Sequence, residues 1–551
     1  MPHFNVITHV TGEDFFNREK ELAKMFTIID DMRQKGINDW LAILGNRRVG
    51  KTSLELEFKR RVDQKYDDVC VVFLDCRKNF STWYDVYVGM ILKTIDEYLW
   101  KRGYLDKGKS FWISYSVDYQ AYLEQKQTLK EIEFPGKDLI LRELRTQEEW
   151  QQYIERGIYL TAMDFPYELA LETQTYFQFI YDEFQDLVRF NDPPPKKGMK
   201  WNIFETMRGA WQMHKKWCNY HVSGSKLHML ANVIFDYNQP FAGHFTPMWL
   251  WGFEEEKAED MLHTLLESEG KKLINGRGEE IPPEERIENR LITLSAGNPF
   301  CIQSVGKMMC AVADEAGTDE IDRAIYEEAV NRDFFDSAGR IYTFCHYSWN
   351  TFLAEHPQKI YQRILLLISQ GVNRIDDISS AVSLSKEEVD SLLEELMEFR
   401  MIARDKILKT YHLFDPMLGH WLAGTKTIIE NVAGPYIIGV RREQELARWL
   451  LHQGYTIVYH SYASRGAFDL LLYKDGKPVG IQLKSVKKFP YYFPRSEYRK
   501  MEAYSQKLSS GAMLCLYYQN GFRFYPLEEL VLEKGEFYRV DEETSYKTHP
   551  F

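Results

Sequence analysis

The chain has no two cysteines at CxxC spacing; its seven cysteines are scattered through 551 residues. That spacing argues against a zinc site or a disulfide framework and fits a reducing compartment. No run of 18 apolar residues occurs, so a helical membrane span is not expected. The opening segment, MPHFNVITHVTGEDFF, lacks the continuous apolar core of a signal peptide, and the expected location is the cytoplasm. No repeat of fixed period is visible. Overall positive charge is also missing. The net charge is −12, which gives no global sign of a nucleic-acid binder. Aromatic residues, by contrast, reach 15% and hydrophobic residues 44%, a composition that excludes extended disorder and fits folded domains.

The charge is unevenly spread. Residues 434–530 hold 14 Lys and Arg against 8 Asp and Glu, a local net of +6. A basic module on an acidic chain points more sharply to a polyanionic partner than the total does. The length of 551 residues itself predicts about three or four domains.

Apolar runs then order the chain. Trp40–Leu44 reads as a buried strand, followed by a glycine-rich turn and a helix from Ser53 to Arg61. VCVVFLDC (69–76) and YFQFIYDEF (176–184) read as further buried strands, and YHVSGSKLHML (220–230) as a fourth ending in a small-residue turn. Residues 80–172 are long, helical and rich in Trp and Tyr. This alternation predicts an α/β fold with a parallel sheet and helices on both faces. Residues 255–340 read as helical. Residues 357–422 read as three short helical blocks and a hairpin, and a second α/β pattern begins near Gly434.

Gly45-Asn46-Arg47-Arg48-Val49-Gly50-Lys51-Thr52 fits GxxxxGK[ST] between a strand and a helix. In that setting successive backbone N–H groups, through Ser53 at the helix start, surround phosphates. Lys51 reaches the β and γ phosphates and Thr52 holds magnesium. Asp182 and Glu183 end an apolar strand. There Asp182 is expected to orient the magnesium shell and Glu183 to polarise the attacking water.

With these motifs the segment 1–425 resembles the archaeal branch of the STAND ATPases, relatives of the AAA+ and origin-recognition ATPases. FFNREKEL (15–22) resembles the family's opening, which implies that Arg18 borders the adenine. SGS (223–225) falls at its sensor turn. SAGNPF (295–300) resembles its helical lid, which implies that Pro299 lies near the nucleotide. DPMLGHWL (415–422) resembles the close of its winged-helix domain. The insertion at 80–172 departs from the family's spacing. Its Trp83, Tyr84, Tyr87, Trp100, Tyr104 and Trp112 are candidates for a self-assembly or partner surface, or for the insertion's own core. The presumed recognition helix, Ser385–Phe399, carries Glu387, Glu388, Asp390, Glu394, Glu395 and Glu398. That acidity favours interdomain packing over duplex binding. Arg208 is a candidate arginine finger or a packing residue.

In the C-terminal module a helix carries Glu443, a strand starts near Asp469, Lys474-Asp475-Gly476-Lys477 turns the chain, and a second strand carries Gln482 and Lys484 on one face. An acidic group opposite a polar-x-Lys pair can hold a divalent ion and activate water. This segment resembles the PD-(D/E)XK nucleases, particularly archaeal Holliday-junction resolvases and Mrr-like restriction nucleases. The resemblance implies metal ligation by Glu443, Asp469 and Gln482, with Lys484 as the catalytic lysine. Gln482 departs from the commoner carboxylate, which lowers the negative charge on the metal. Lys487, Lys488, Arg495, Arg499 and Lys500, mixed with Phe489, Tyr491, Tyr492 and Phe493, suit a phosphate-contacting surface.

The resulting expectation is a P-loop ATPase core (1–254, with the insertion), a helical lid (255–340), a winged-helix domain (341–425), a nuclease-like domain (434–530) and a tail (531–551). ATP and magnesium are the expected cofactors, with manganese possible in the nuclease site, and DNA is the expected partner. The two leading readings are an ATP-controlled DNA nuclease and a regulatory or scaffolding ATPase whose nuclease-like tail only binds. The third, a DNA-remodelling motor, requires processive hydrolysis stimulated by DNA.

Overall fold

A computed structural model describes residues 4–5, 8–155, 159–191, 202–275, 282–405, 407, 409–424, 442–443, 445–447, 449–450, 453, 455–460, 467–474, 477–519, 521–533 and 537–550. It divides into two compact units, Met1–Ile341 and Tyr342–Phe551.

The first unit is built on five strands: β1 (Trp40–Leu44), β2 (Val69–Asp75), β3 (Tyr176–Asp182), β4 (Cys218–Ser223) and β5 (Phe245–Trp249). Their order across the sheet is β2-β3-β4-β1-β5. Every pairing is parallel. A parallel sheet is covered on both faces, so its strands are apolar throughout rather than alternating. All five residues of β1 are buried, as the run WLAIL predicts. Helix α1 (Glu19–Lys35) and helix α2 (Lys51–Lys65) cover one face. There Met25, Ile29 and Met32 meet Leu54, Phe58 and Val62 over Leu41, Ile43 and Val71.

Two local expectations change. The segment 227–230, expected in a strand, opens the helix Leu227–Phe235, whose Leu227, Leu230, Ala231 and Ile234 are buried at helical spacing. Strand β5 was not expected because Pro247 interrupts its pattern. It lies at the sheet edge, where a missing N–H is tolerated.

The 80–172 insertion is helical, as expected. Helix α3 (Trp83–Arg102) starts with a capping box between Thr82 and Asp85. Tyr87 is buried and Trp83, Tyr84, Trp100, Tyr104 and Trp112 are half-buried. Their contacts are internal. The Tyr84 and Tyr115 hydroxyls lie 2.8 Å apart, Trp100 Nε1 donates to Lys109 O at 2.7 Å, and Tyr104 packs on Phe134 with ring centroids 5.1 Å apart. The large apolar residues it exposes are others: Ile113, Val117, Leu123 and Leu171.

Among the described residues the α-helices Glu255–Ser268, Ile287–Ser295, Pro299–Glu315 and Arg323–Val330 follow, with two short parallel strands, β6 (Lys272–Leu273) and β7 (Glu320–Ile321). Asn298 caps the third helix by accepting from the backbone of Phe300 and Cys301, and Pro299 occupies its first turn.

The second unit contains the helices Lys359–Ser369, Ile375–Val382 and Lys386–Glu398, then an antiparallel hairpin of β8 (Ile402–Asp405) and β9 (Thr410–Leu413). Its C-terminal part is a mixed sheet of β10 (Thr456–His460), β11 (Leu470–Lys474), β12 (Lys477–Ser485), β14 (Gly511–Tyr518) and β15 (Gly521–Pro526), in that order. β13 (Tyr491–Pro494) and the helix Arg495–Leu508 lie in the parallel crossover from β12 to β14. Two cores flank this sheet. Leu446, Leu450, Leu470, Ile481 and Leu483 fill one, and Phe468, Phe493, Met501, Leu514 and Leu516 the other. Beyond residue 530, expected to be a tail, β16 (Val531–Glu533) and β17 (Phe537–Val540) pair, and β17 also pairs with β13. Strand pairing in this domain therefore runs past the expected boundary.

Candidate functional site

The phosphate loop leaves the end of β1 and enters α2. Gly45 is required by space, since a Cβ there would stand 2.5 Å from Leu250 O. Gly50 is required by conformation, with φ +98° immediately before the helix. The Lys51 ammonium is buried beneath the loop and donates to Gly45 O at 2.7 Å and Asn46 O at 2.9 Å. Burial lowers its pKa, and the Asp182 and Glu183 carboxylates oppose that shift. An ammonium held by two backbone carbonyls can exchange them for phosphate oxygens at little cost in desolvation.

Parallel pairing sets β3 beside β4 and thereby completes the site. Thr52 Oγ1 donates to Asp182 Oδ2 at 2.7 Å, and Ser223 Oγ donates to Asp182 Oδ1 at 2.8 Å. Burial raises the Asp182 pKa and these two hydroxyls counter it. Glu183 follows in left-handed backbone, φ 54°. Its Oε2 accepts from Gln185 Nε2 at 2.6 Å, from Ser225 Oγ at 2.9 Å and from Ser225 N at 3.2 Å. Burial works against ionisation of Glu183, but the Ser225 and Gln185 hydrogen bonds outweigh it and hold the carboxyl below its usual range. Glu55, one turn into α2, is fully buried. Burial and the nearby Asp182 push its carboxyl well above the ordinary value.

These groups line a cavity of about 450 Å³. Arg47, Arg48, Val49, Gly50, Lys51, Thr52 and Ser53 line it, together with Asp182, Glu183, Arg18 and Pro299. Gly45 and Asn46 stand outside the lining and contribute their carbonyls to Lys51. Arg18 is buried and donates to Val49 O at 3.1 Å and Trp251 O at 2.6 Å, with its guanidinium 4.6 Å from the Phe253 ring. Arg48 lies 4.8 Å from the Phe300 ring, joining the loop to the helix Pro299–Glu315. The donor set fits a nucleotide triphosphate and a hard divalent ion: backbone N–H groups at a helix start, a buried lysine, a hydroxyl and a carboxylate. Arg208, on the helix Ile203–Met213, is not among the lining residues. Gln185 and Arg77 were missed in the sequence. Arg77 lies 3.8 Å from Glu183 and 2.7 Å from Asp186. Only the SGS turn carried a signal for this shell.

In the C-terminal domain β11 and β12 pair antiparallel, Leu470 opposite Ile481. That register brings Asp469, just before β11, against Gln482. Gln482 Nε2 donates to Asp469 Oδ2 at 2.8 Å and Leu483 N donates to the same oxygen at 2.7 Å. Asp469, Gln482 and Glu443 are 1%, 5% and 5% exposed. Glu443 itself is helical. Lys484 is two residues beyond Gln482 on the same face, and its Nζ lies 2.9 Å from Glu497 Oε2. Glu497 was not anticipated from the sequence. The Asp469 carboxylate and the Gln482 amide oxygen are the kinds of ligand a divalent ion uses, whereas the Lys484 ammonium carries no lone pair for a metal and suits a phosphate instead. Lys487, Lys488, Arg499, Lys500 and Tyr492 are exposed, whereas Phe493 is buried in the core and does not face solvent. The Asp475–Gly476 centre of the expected turn lies outside the described residues.

Residues 435–549 match the family model for the archaeal Holliday junction resolvase, Hjc. The expected resemblance of the C-terminal segment is thereby borne out. Among solved structures, the chain is similar to Archaeoglobus fulgidus Hjc, at 21% identity and TM-score 0.18, covering 19% of this chain and 84% of that one. It is also similar to the Aeropyrum pernix ORC2 protein, at 12% identity and TM-score 0.44, covering 80% and 98%. The Thermotoga maritima RuvB branch-migration motor aligns at 8% identity and TM-score 0.34, covering 77% and 97%. No curated protein matches the chain.

Proposed function

We propose that the chain binds and hydrolyses ATP and uses that cycle to control metal-dependent cleavage of DNA by its C-terminal domain. The observation that carries the reading is the 2.7 Å bond from Thr52 to Asp182, which ties the phosphate loop to the acidic end of β3 beside the 450 Å³ cavity. In this reading residues 1–254 form a STAND-like ATPase core, 255–340 its lid, 341–425 a winged-helix domain and 434–530 the nuclease-like domain, located in the cytoplasm. The pairing of β13 with β17 extends that last domain toward residue 540.

The loop N–H groups and Lys51 bind the phosphates. Arg18 and Pro299 border the base. Thr52 and Asp182 would hold magnesium, which neutralises phosphate charge when bound. Glu183, kept ionised by Ser225 and Gln185, takes a proton from the attacking water. In the C-terminal domain Glu443, Asp469 and Gln482 would hold magnesium or manganese, and Lys484 stabilises charge on the cleaved phosphate. The exposed lysines and arginines of 487–500 bind the DNA backbone. Recombination, mobile-element or defence processes are contexts that suit such a protein.

A second reading is a regulatory ATPase whose tail binds DNA or a protein without cutting. The Gln482 amide at the expected carboxylate position favours it. The deciding experiment incubates purified protein with magnesium or manganese and duplex, single-stranded or branched DNA, with and without ATP. Cleavage that disappears in Asp469→Ala supports the nuclease. No metal-dependent cleavage of any DNA form selects the second reading.

A further inference from the structure

Position 482 offers an amide where a carboxylate is commoner, and the amide nitrogen is already engaged. Gln482 donates its Nε2 to Asp469 Oδ2, the same oxygen that accepts from Leu483 N. In this arrangement Gln482 orients the aspartate through its Nε2, and the Oε1 it can still offer a metal carries no charge. Even with Glu443, the proposed site then presents two carboxylates and one lysine, a net of about −1 that leaves a divalent ion under-compensated.

The sheet's facing shows where further charge comes from. Val479, Ile481 and Leu483 of β12 point into the core that holds Leu446 and Leu450. Gln482 and Lys484 alternate with them and lie opposite Leu514 and Leu516, which point into the other core with Met501 of the helix Arg495–Leu508. Glu497 sits in the first turn of that helix. Its carboxylate reaches Lys484 Nζ at 2.9 Å and remains 39% exposed, so it is accessible to an ion from solvent.

We infer that Glu497 supplies the C-terminal site with the carboxylate that position 482 lacks, compensating a divalent ion beside Asp469 and leaving Gln482 to orient that aspartate. The inference rests on the metal-dependent reading above. Lys484 occupies the Glu497 carboxylate until the ion takes it, which frees the ammonium for the phosphate.

Manganese binding to the nucleotide-free full chain, followed by electron paramagnetic resonance, tests this without relying on cleavage. The difference between wild type and Asp469→Ala isolates the C-terminal site. Glu497→Gln is expected to weaken that site's manganese affinity by about tenfold or more, while thermal melting stays as in wild type. Adding Gln482→Glu to Glu497→Gln is expected to restore affinity to within about threefold. Lys484→Met, which breaks the same ion pair, is expected not to weaken it. Unchanged affinity in Glu497→Gln, no rescue by Gln482→Glu, or an equal loss in Lys484→Met overturns the inference while leaving the metal site intact. Wild type lacking any Asp469-dependent manganese site overturns both the inference and the nuclease reading.

Discussion

Ser225 gives the Glu183 carboxylate both its hydroxyl and its backbone N–H, at 2.9 and 3.2 Å, across 42 residues of sequence. The bond keeps the carboxylate ionised and fixes its direction. Ser225→Ala should therefore reduce the rate of ATP hydrolysis about tenfold with nucleotide affinity within about threefold of wild type. Glu183→Gln, which removes the proposed base, should cost about 10²–10⁴ in rate. Steady-state phosphate release and a nucleotide-binding titration separate the two effects. A Ser225→Ala enzyme with wild-type turnover would falsify the assigned role.

Lys51 is the buried cation of the phosphate loop. Lys51→Ala should abolish tight ATP binding, since no other buried ammonium lines the cavity among the described residues. The C-terminal domain should keep its own melting behaviour. Binding of a fluorescent ATP analogue, read together with a thermal melt, checks both halves.

Asp96 sets a pH dependence of stability. It is buried and accepts from Ser110 Oγ and Phe111 N, both at 2.6 Å, and from Trp112 N at 3.2 Å, anchoring the helix Phe111–Val117. Burial raises its pKa to about 7, and the three hydrogen bonds only partly oppose this. The folded chain therefore holds a proton that the unfolded chain releases above a pKa of about 4. This group's stabilisation is complete below the unfolded value and is lost as pH rises toward about 7, with a limiting slope of about 1.4 kcal/mol per pH unit. Asp96→Asn should remove that component. Denaturant midpoints for wild type and variant from pH 4.5 to 8 test it, and parallel profiles would exclude the mechanism.

The exposed basic residues after β12 should appear as a salt dependence of DNA binding. Each phosphate contact releases a counterion and adds about 0.9 to the slope of log affinity against log salt for duplex DNA. Lys487→Ala, Lys488→Ala and Lys500→Ala should each lower the slope by about that amount if they touch phosphate. Tyr492→Ala should weaken binding to single strands more than to duplex, through lost stacking. Phe493→Ala should destabilise the domain instead, because that ring is fully buried.

Much of both sites was legible because their signals are local. The phosphate loop needs glycines at fixed offsets between a strand and a helix. The acidic pair ends a fully apolar run, and Gln482 and Lys484 share a face by simple alternation. Strand β5 was hidden by Pro247, whose tolerance depends on being at an edge, and edge position is a property of the assembled sheet. The aromatic residues of the insertion read in sequence equally as an interface or as the insertion's own core. In the fold Tyr87 is buried and Trp100 and Tyr104 serve the insertion's own packing.

By itself the sequence determined the chemistry carried by short segments: the loop from Gly45 to Thr52, the carboxylates at 182 and 183, and the Asp469–Lys484 hairpin face. Backbone conformation and side-chain period are set by neighbours within a few residues, so pattern suffices there. The tertiary structure alone decided which distant groups complete those segments. Ser223 and Ser225 reach the acidic pair because β4 pairs in parallel with β3. Glu497 meets Lys484 because the crossover helix lies over the Gln482 face of the sheet. β17 joins β13 across more than forty residues. Such pairings arise from burial of complementary faces after the chain has closed long loops, and closure leaves no periodic mark in the residues that later touch.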